Sequence, residues 1–362
     1  IASNAVTVAK MQNSGYELGM RNRIINGGMT IDQRNAGASV TALDAYAVDR
    51  WQYEGSQTSK LTLQQNAGSV TPPAGFTNYY GATSSSAYSV AAGDSFFIGQ
   101  RIEGFNVSDL GWGTSSAATV TLSFWVRSSL TGTFGGALTN SAANRSYPFS
   151  YTISSAGTWE YKTITIAGDT SGTWVTNSGL GIRLRISLGA GSTLSGTAGS
   201  WAGANYTSST GATSVVGTSG ATFYITGVQL EKGSVATPFE FRPYGTELAL
   251  CQRYYYRLTN TAGQPRYLAI GQAQSSTSIF GGVITLPVTM RSTPTGNYSL
   301  SSDFGGYNST GSSVAYFSSF TISSTSTNTL YQDSAGGSGF TAGNASAVVF
   351  KNNAWVDASA EL

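Results

Sequence analysis

Apolar and polar residues alternate along most of the chain in short runs bounded by Gly, Ser or Asp. These runs are rich in β-branched and aromatic residues and include KLTLQQ, SFFIGQRIEG, ATVTLSFWVRSS, TWEYKTITIAG, GIRLRISLG and ATFYITGVQLEKG. Alternation with a period of two puts every second side chain on the same face of a strand, as for Leu61 and Leu63. No long helical pattern precedes residue 244. The pattern predicts an all-β fold of the sandwich type rather than an α/β fold.

Changes in pattern divide the chain into three parts. Residues 1–20 have weak periodicity and predict an N-terminal linker or attachment segment, and residues 21–243 predict the β-sandwich. Residues 244–362 predict a smaller β-rich C-terminal tip domain, with strands such as VITLPV, VAYFSSFTI and SAVVF. This part opens with GTELALCQRYYYRL, which predicts either one or two helical turns or the start of a strand. Pro287 and Pro294 predict an edge strand that leaves the sheet, because proline cannot donate within a central ladder.

The composition is neutral and rich in small residues. Charged residues make up 10% of the 362 residues, against about 25% in an ordinary domain, while aromatic residues reach 12% and glycine accounts for 45 residues. Such a composition is typical of extracellular β proteins and virion fibres. The net charge of +2 without a cluster of cations does not favour nucleic-acid binding. No apolar run approaches the roughly 20 residues of a membrane-spanning helix. The chain begins with Ile, which indicates a processed product or a fragment.

The residues of acid–base and nucleophilic catalysis are scarce. The absence of His excludes Ser-His-Asp and Cys-His catalysis and the usual zinc sites. The single cysteine, Cys251, excludes an intrachain disulfide, and its apolar surroundings in LALCQRYYY predict a buried structural thiol. The 17 acidic residues are scattered singly, and Asp49 beside Arg50 and Trp51 indicates an ion pair next to a core aromatic ring. We therefore expect no catalytic residue and no enzymatic activity.

Three segments of the chain carry a resemblance to a known family. They are NRIINGGMTIDQRNAG near the start, GVQLEKGSVATPFEFRPYGTELALCQR, and DASAEL at the end. With CQRYY, LPVTMRSTPT and the final AEL, they resemble phage tail-fibre and receptor-binding proteins. Residues 21–243 also resemble the jelly-roll sandwich of carbohydrate-binding modules. That resemblance is strongest in the last strand, through Phe223, Ile225, Val228, Gln229, Leu230 and Glu231.

The resemblance implies a homotrimer in the virion tail, outside the host cell, that contacts other phage tail proteins and host surface polysaccharide. Carbohydrate-binding jelly-roll modules often hold a structural calcium ion, although no dense cluster of Asp and Asn indicates such a site in this sequence. No other cofactor is expected. Two alternative functions are compatible with the same composition: a structural virion component without a glycan site, and the glycan-binding module of a secreted enzyme.

Aromatic residues in loops flanked by Gly, Ser and Thr are the candidate glycan-binding residues, since planar rings stack on the C–H faces of sugars. They are Trp201, Tyr206, Trp112, Tyr79, Tyr80 and Trp174. By contrast, Trp51, Trp125 and Trp159 lie in predicted strands and are expected in the core. Trp201 and Tyr206 belong to the low-complexity segment 190–220, which is either a functional excursion or an ordered hairpin. Trp201 itself either packs back onto the sandwich or a neighbouring subunit, or stacks on a sugar.

Overall fold

The computed structural model describes residues 20–261, 263–307 and 313–362. The fold is all-β, as predicted: a jelly-roll β-sandwich followed by a smaller β-rich part. Two compact units form, one from the residues up to Glu247 with Leu362, and the other from Leu248–Glu361. The predicted boundary between residues 243 and 244 falls at the start of a helix, and the boundary between the units falls inside that helix. The predicted linker, residues 1–20, lies outside the described residues except for its last member.

The N-terminal unit contains thirteen strands within the described part of the chain. They are β1 (Tyr46–Val48), β2 (Trp51–Gly55), β3 (Leu61–Gln65), β4 (Tyr80–Ser84), β5 (Ser95–Glu103), β6 (Val120–Ser128), β7 (Gly132–Thr139), β8 (Ser146–Ile153), β9 (Glu160–Ile166), β10 (Leu180–Ala190), β11 (Ser195–Gly196), β12 (Ser208–Ser209) and β13 (Thr222–Lys232). Short 3-10 helices lie at Ala67–Ser69, Gly104–Asn106 and Ser108–Leu110.

Two antiparallel sheets form the sandwich. One has six strands in the order β1-β2-β5-β10-β7-β8, and the other has five in the order β3-β4-β13-β6-β9. From β5 onward the chain repeatedly crosses between the sheets, and β13 returns to the centre of the five-stranded sheet between β4 and β6. Alternate residues of β6 fill the space between the sheets, among them Leu122, Phe124 and Val126, each with no exposed surface. Burying each such side chain contributes about 1.5–3 kcal/mol.

The segment 190–220 is ordered, but it is not a hairpin. Its strands β11 and β12 pair in parallel, with Ser195 opposite Ser208. A parallel pair needs a crossover connection rather than a tight turn, and residues 197–207 provide it. This crossover carries Trp201 and Tyr206.

Asp49 has a structural role, as predicted, but a different partner. Its carboxylate lies 3.1 Å from the guanidinium of Arg34 and accepts a hydrogen bond of 2.6 Å from the Gln33 side chain. Asp49 is 1% exposed and Trp51 beside it is fully buried. The ion pair that we expected Asp49 to make with the adjacent Arg50 is therefore made with Arg34.

The C-terminal unit consists of strands that follow one helix. The helix α1 (Tyr244–Gln252) spans the boundary of the units, and Ser301–Asp303 forms a 3-10 helix. The strands are β14 (Tyr255–Thr259), β15 (Arg266–Ala273), β16 (Ile279–Thr285), β17 (Thr295–Tyr298), β18 (Phe304–Tyr307), β19 (Val314–Tyr316), β20 (Ser319–Ser323), β21 (Thr329–Ala335), β22 (Ala345–Phe350) and β23 (Trp355–Ser359). They form a three-stranded sheet, β14-β23-β17, and a seven-stranded sheet, β19-β18-β22-β15-β16-β21-β20.

Aromatic packing forms the core of this unit. The rings of Phe304 and Phe320 stack with centroids 3.9 Å apart. Cys251 is fully buried, as predicted. Pro287 and Pro294 lie in the loop between β16 and β17, so the predicted edge strand is wrong there. No helix in the described ranges is long and apolar enough to cross a membrane.

Candidate functional site

Three of the predicted site residues come together in one cluster, the tryptophan trio of Trp112, Trp174 and Trp201. The ring centroids lie 4.8 Å apart for Trp112 and Trp174, 5.3 Å for Trp112 and Trp201, and 5.4 Å for Trp174 and Trp201. Each pair meets edge to face, the arrangement that the ring quadrupoles favour. Tyr147 of β8 packs edge-on against Trp201 at 5.3 Å. Sequence reasoning selected these residues individually but did not predict that they form a cluster.

The trio fastens loops to the sandwich. The indole nitrogens of Trp112 and Trp201 donate to the carbonyls of Ala118 and Ala167, each at 2.8 Å. Trp174 donates to the carbonyl of Ser171 at 3.1 Å. Trp174 and Trp201 are partly buried against the core, so Trp201 packs back onto the sandwich, the first of its two interpretations. Trp112 is only 7% exposed, and the prediction that it stacks on a sugar is wrong because the other two rings cover it.

Tyr79 and Tyr80 are also corrected by the structure. Tyr80 points from β4 into the space between the sheets and has no exposed surface. Tyr79 is 1% exposed, and its hydroxyl donates to the Ala67 carbonyl at 2.6 Å. Neither ring is open to a ligand: Tyr80 packs between the sheets, and Tyr79 is buried on the opposite face of the five-stranded sheet against Trp159 and Tyr224. Tyr206 is partly buried, and its ring covers Gly196, where a Cβ atom would lie 2.3 Å from the ring.

A cleft that sequence reasoning missed lies on the outer face of the five-stranded sheet. It has a volume of about 430 Å³. We call it the aromatic cleft and define it by five rings: Phe76, Trp125, Tyr161, Phe239 and Phe241. Trp125 and Tyr161 are direct partners on β6 and β9. Their rings lie 5.3 Å apart at an interplanar angle of 48°.

The other three rings come from two segments outside the strands, residues 74–76 and 236–241. Phe76 lies 5.1 Å from Phe239 and 5.3 Å from Phe241, and the last two lie 4.9 Å apart. Tyr161 is 43% exposed and Phe241 is 63% exposed. Rings that are held by one another and still face solvent provide a rigid apolar surface for a ligand.

Buried polar residues of β13 hold one wall of the cleft. The Glu231 carboxylate accepts hydrogen bonds from the Thr237 backbone at 2.8 Å and from its hydroxyl at 2.6 Å. The Gln229 amide oxygen accepts from the Glu240 backbone at 2.8 Å. Gln229 has no exposed surface and Glu231 has 1%, so these bonds replace all contact with water. The Gln-Leu-Glu motif therefore positions residues 236–241 over the sheet, which places Phe239 and Phe241.

The aromatic cleft is uncharged. None of the described residues that line it is acidic or basic. A smaller pocket of about 160 Å³ adjoins it and contains charged residues, but these pair with one another. Arg242 lies 2.9 Å from Glu240 and 3.4 Å from Glu247. The cleft can therefore bind a neutral ligand through stacking and apolar contact, and it offers no free carboxylate for acid–base chemistry.

A signal for this cleft was present in the sequence. In β6 the residues at even positions are buried between the sheets, whereas Trp125 has the opposite parity and faces outward. Trp51 is buried as expected, but Trp125 and Trp159 are only partly buried, so their assignment to the core is wrong. Trp159 packs on Tyr79 and Tyr224 on the same outer face. Among the described residues, no group of three or more His, Cys, Asp or Glu side chains could hold a metal ion.

No protein-family model matches the chain, and no curated protein sequence matches it. Several solved structures are similar to part of this chain. The enzymatically active domain of tailspike protein 4 of bacteriophage CBA120 is 11% identical over 59% of this chain, with a TM-score of 0.32. The chain spans 21% of that protein's length.

Two other similar structures are shorter than this chain. A carbohydrate-binding module, TmCBM61 in complex with β-1,4-galactotriose, is 12% identical; the match covers 59% of this chain and 99% of the module, with a TM-score of 0.30. A putative sugar-binding protein from Bacteroides thetaiotaomicron is 14% identical; the match covers 59% of this chain and 100% of that protein, with a TM-score of 0.35.

Proposed function

We propose that this chain is a phage tail-fibre or receptor-binding protein that attaches the virion to a glycan on the host cell surface. The observation that carries the proposal is the aromatic cleft, with its exposed rings and uncharged lining. The pyranose ring of a sugar presents C–H groups on its face, and an aromatic ring gains apolar contact with them. An uncharged cleft suits a neutral polysaccharide, whose recognition does not require ion pairs.

The assignment to a virion is supported by the resemblance of three sequence segments to phage tail fibres. One of these segments contains Gln229 and Glu231, which hold the wall of the cleft. The proposal includes a homotrimer in the virion tail that contacts other tail proteins. Such an assembly presents several clefts at once, and this multivalency raises the strength of attachment above that of one site.

We further propose that the chain binds glycan without hydrolysing it. Hydrolysis of a glycosidic bond needs two carboxyl groups on either side of the scissile bond, about 5–9 Å apart, one of them with a raised pKa. Glu240 and Glu247, the carboxylates that line the adjoining smaller pocket, share the guanidinium of Arg242. Both are therefore committed to an ion-pair network that fixes the start of α1.

Binding of host surface polysaccharide to single-ring variants tests the proposal. Tyr161→Ala removes an exposed ring of the cleft and should weaken binding about two- to tenfold, given about 0.5–1.5 kcal/mol per ring contact. Tyr161→Phe keeps the ring and should bind nearly as the parent does. Phe105→Ala is the matched control, because Phe105 is 58% exposed and lies outside the cleft.

Two results would contradict the proposal. If Tyr161→Ala and Phe241→Ala both bind the polysaccharide as strongly as the parent does, the aromatic cleft is not the glycan site. Steady release of reducing ends from host polysaccharide by the parent protein would contradict the non-catalytic part. In that case the release should disappear on substitution of a particular Asp or Glu, which would identify the acid.

A further inference from the structure

We propose a second sugar-binding site, on the seven-stranded sheet of the C-terminal unit, that recognises a neutral sugar through the carboxylate of Asp333. The site is a cavity of about 350 Å³ at the end of the sheet formed by β16, β21 and β20. It is separate from the aromatic cleft in residues and in chemistry. The proposal therefore does not depend on the function proposed above.

The register of the strands brings the key side chains into one row. Phe280 of β16 is directly opposite Asp333 of β21, and Asp333 is directly opposite Thr321 of β20. Directly opposed residues point to the same face of a sheet, so the three side chains share one surface. Neighbouring strands lie about 4.8 Å apart, and the row therefore extends about 10 Å across the sheet. It presents an aromatic ring, a carboxylate and a hydroxyl in succession.

Asp333 is the unusual member of this row. It is partly buried, and within the described ranges of the chain the buried Oδ1 of its carboxylate has no hydrogen-bond partner. Asp357 in the same unit differs: its carboxylate accepts from the Tyr255 hydroxyl at 2.7 Å and from Arg257 at 3.1 Å. A carboxylate oxygen that is withdrawn from water without a donor is costly, so a ligand that donates a hydrogen bond to it is favoured there.

The groups around Asp333 select the class of ligand. Phe280 is 51% exposed and offers a ring face, and Gln274 and Ser319 add an exposed amide and a hydroxyl. No described lysine or arginine lines the cavity, which does not suit an anion. Calcium takes six to eight oxygen ligands, usually with several carboxylates, and the cavity has one. A sugar fits all of these groups, since neighbouring hydroxyls donate to the carboxylate while the ring face stacks on Phe280.

The test uses the full chain with the aromatic cleft disabled by Tyr161→Ala and Phe241→Ala. Binding of the neutral disaccharides lactose, maltose and cellobiose is measured by saturation-transfer NMR and calorimetry. We expect this background to bind at least one of them. Asp333→Asn should then weaken binding about tenfold or more, because hydrogen bonds to a charged group are among the strongest. Phe280→Ala should weaken binding several-fold. Ile270→Ala is the matched control, since Ile270 is 73% exposed on the same face but lies outside the cavity.

Several results would overturn the assignment. One is a background that binds none of the three disaccharides, and another is binding that survives both Asp333→Asn and Phe280→Ala. A third is Asp333-dependent binding of Ca²⁺ alone, which would make the site a cation site. A fourth is an equal change in sedimenting mass for Phe280→Ala and Ile270→Ala, which would make this face an interface between copies. Phe280→Ala keeps the test decisive if Asp333→Asn does not fold, because Phe280 is largely exposed.

Discussion

The ring of Phe76 lies where a side chain at position 227 would be: a Cβ atom at Gly227 would stand 2.6 Å from Phe76 Cζ. Gly227 has a φ of 62°, and it lies in the part of β13 where the pairing with β6 is irregular. The absence of a side chain therefore serves two purposes. It permits a left-handed backbone and it lets Phe76 reach the sheet to form the aromatic cleft.

Gly227→Ala should therefore affect both stability and binding. The left-handed conformation alone costs a non-glycine residue about 1–2 kcal/mol, and the collision with Phe76 should add to it. Gly220→Ala is the control, because Gly220 has a φ of 73° but nothing within 4 Å of a Cβ atom. Urea unfolding should show a larger loss for Gly227→Ala, and only this variant should weaken glycan binding. Equal losses in the free energy of unfolding for the two variants would mean that the Phe76 ring moves away from the new Cβ atom without an energetic cost.

Trp201→Ala should lower stability and leave glycan binding intact. The change removes ring contacts with Trp112, Trp174 and Tyr147 and a hydrogen bond to the Ala167 carbonyl. Since Trp201 is partly buried, we expect a loss of about 2–4 kcal/mol in the free energy of unfolding. Thermal unfolding and a binding titration on the same preparation measure both effects. Weakened binding at an unchanged melting temperature would show instead that Trp201 contacts the glycan.

Gln332→Met should stabilise the C-terminal unit. Gln332 has no exposed surface, and neither its amide nitrogen nor its amide oxygen has a hydrogen-bond partner in the part of the chain that the structure describes. A buried polar group without a partner costs about 1–3 kcal/mol, and methionine fills a similar volume without that cost. Hydrogen exchange of the β16 and β21 amides should slow.

The matched control for Gln332→Met is Gln229→Met. Gln229 is equally buried, but its amide is fully engaged with Glu231, Thr237 and the Glu240 backbone. This variant should lose stability, because the substitution leaves the buried Glu231 with fewer donors. A loss of stability in both variants would indicate that Gln332 is bonded to a buried water.

The protein should lose stability between about pH 10 and pH 12. Burial raises the pKa of Tyr53 from its ordinary value of 10.0 to about 12, and its hydroxyl has no hydrogen-bond partner among the described residues. Burial also raises the pKa of Tyr80 and of Tyr151. Above pH 10 the unfolded chain releases these tyrosine protons while the folded chain retains them. The contribution of the protonated tyrosines to the free energy of unfolding is therefore complete below pH 10, and it is lost as the pH rises through the folded pKa.

Urea unfolding at a series of alkaline pH values measures this effect. Each proton that the folded chain retains makes the free energy of unfolding fall more steeply with pH, by up to about 1.4 kcal/mol per pH unit. Tyr53→Phe keeps the ring, removes the proton and should make the decline shallower. An unchanged slope in Tyr53→Phe would show that the Tyr53 phenol ionises equally in both states.

Much of the fold could be predicted because the alternation that forms strands is local. The runs around Phe124 and Phe223 became β6 and β13, and the segment that contains Cys251 became a short helix followed by a strand. The same alternation also marked Trp125 as facing outward, since its neighbours at even positions fill the core. The position of Trp125 within a predicted strand led us to expect it in the core, and this expectation was wrong because the outer face of a sheet can also be covered by aromatic rings.

The cleft itself could not be predicted from local pattern. Phe76 and Phe239 are far apart in sequence, and they meet because the hydrogen bonds that Thr237 donates to the buried Glu231 carboxylate fix the chain there. The tryptophan trio has the same origin, since its rings come from three different loops. Contacts of this kind depend on the paths of loops, which follow from tertiary packing and not from residue periodicity.

The tryptophan trio also limits how this sandwich can be re-engineered. Its rings belong to the connections between β5 and β6, between β9 and β10, and between β11 and β12, and each ring rests on the other two. A loop library grafted into one of these connections would remove a support from both of the others. The connections would have to be redesigned as one unit, and variation confined to Tyr161 and Phe241 is the simpler route to a new specificity.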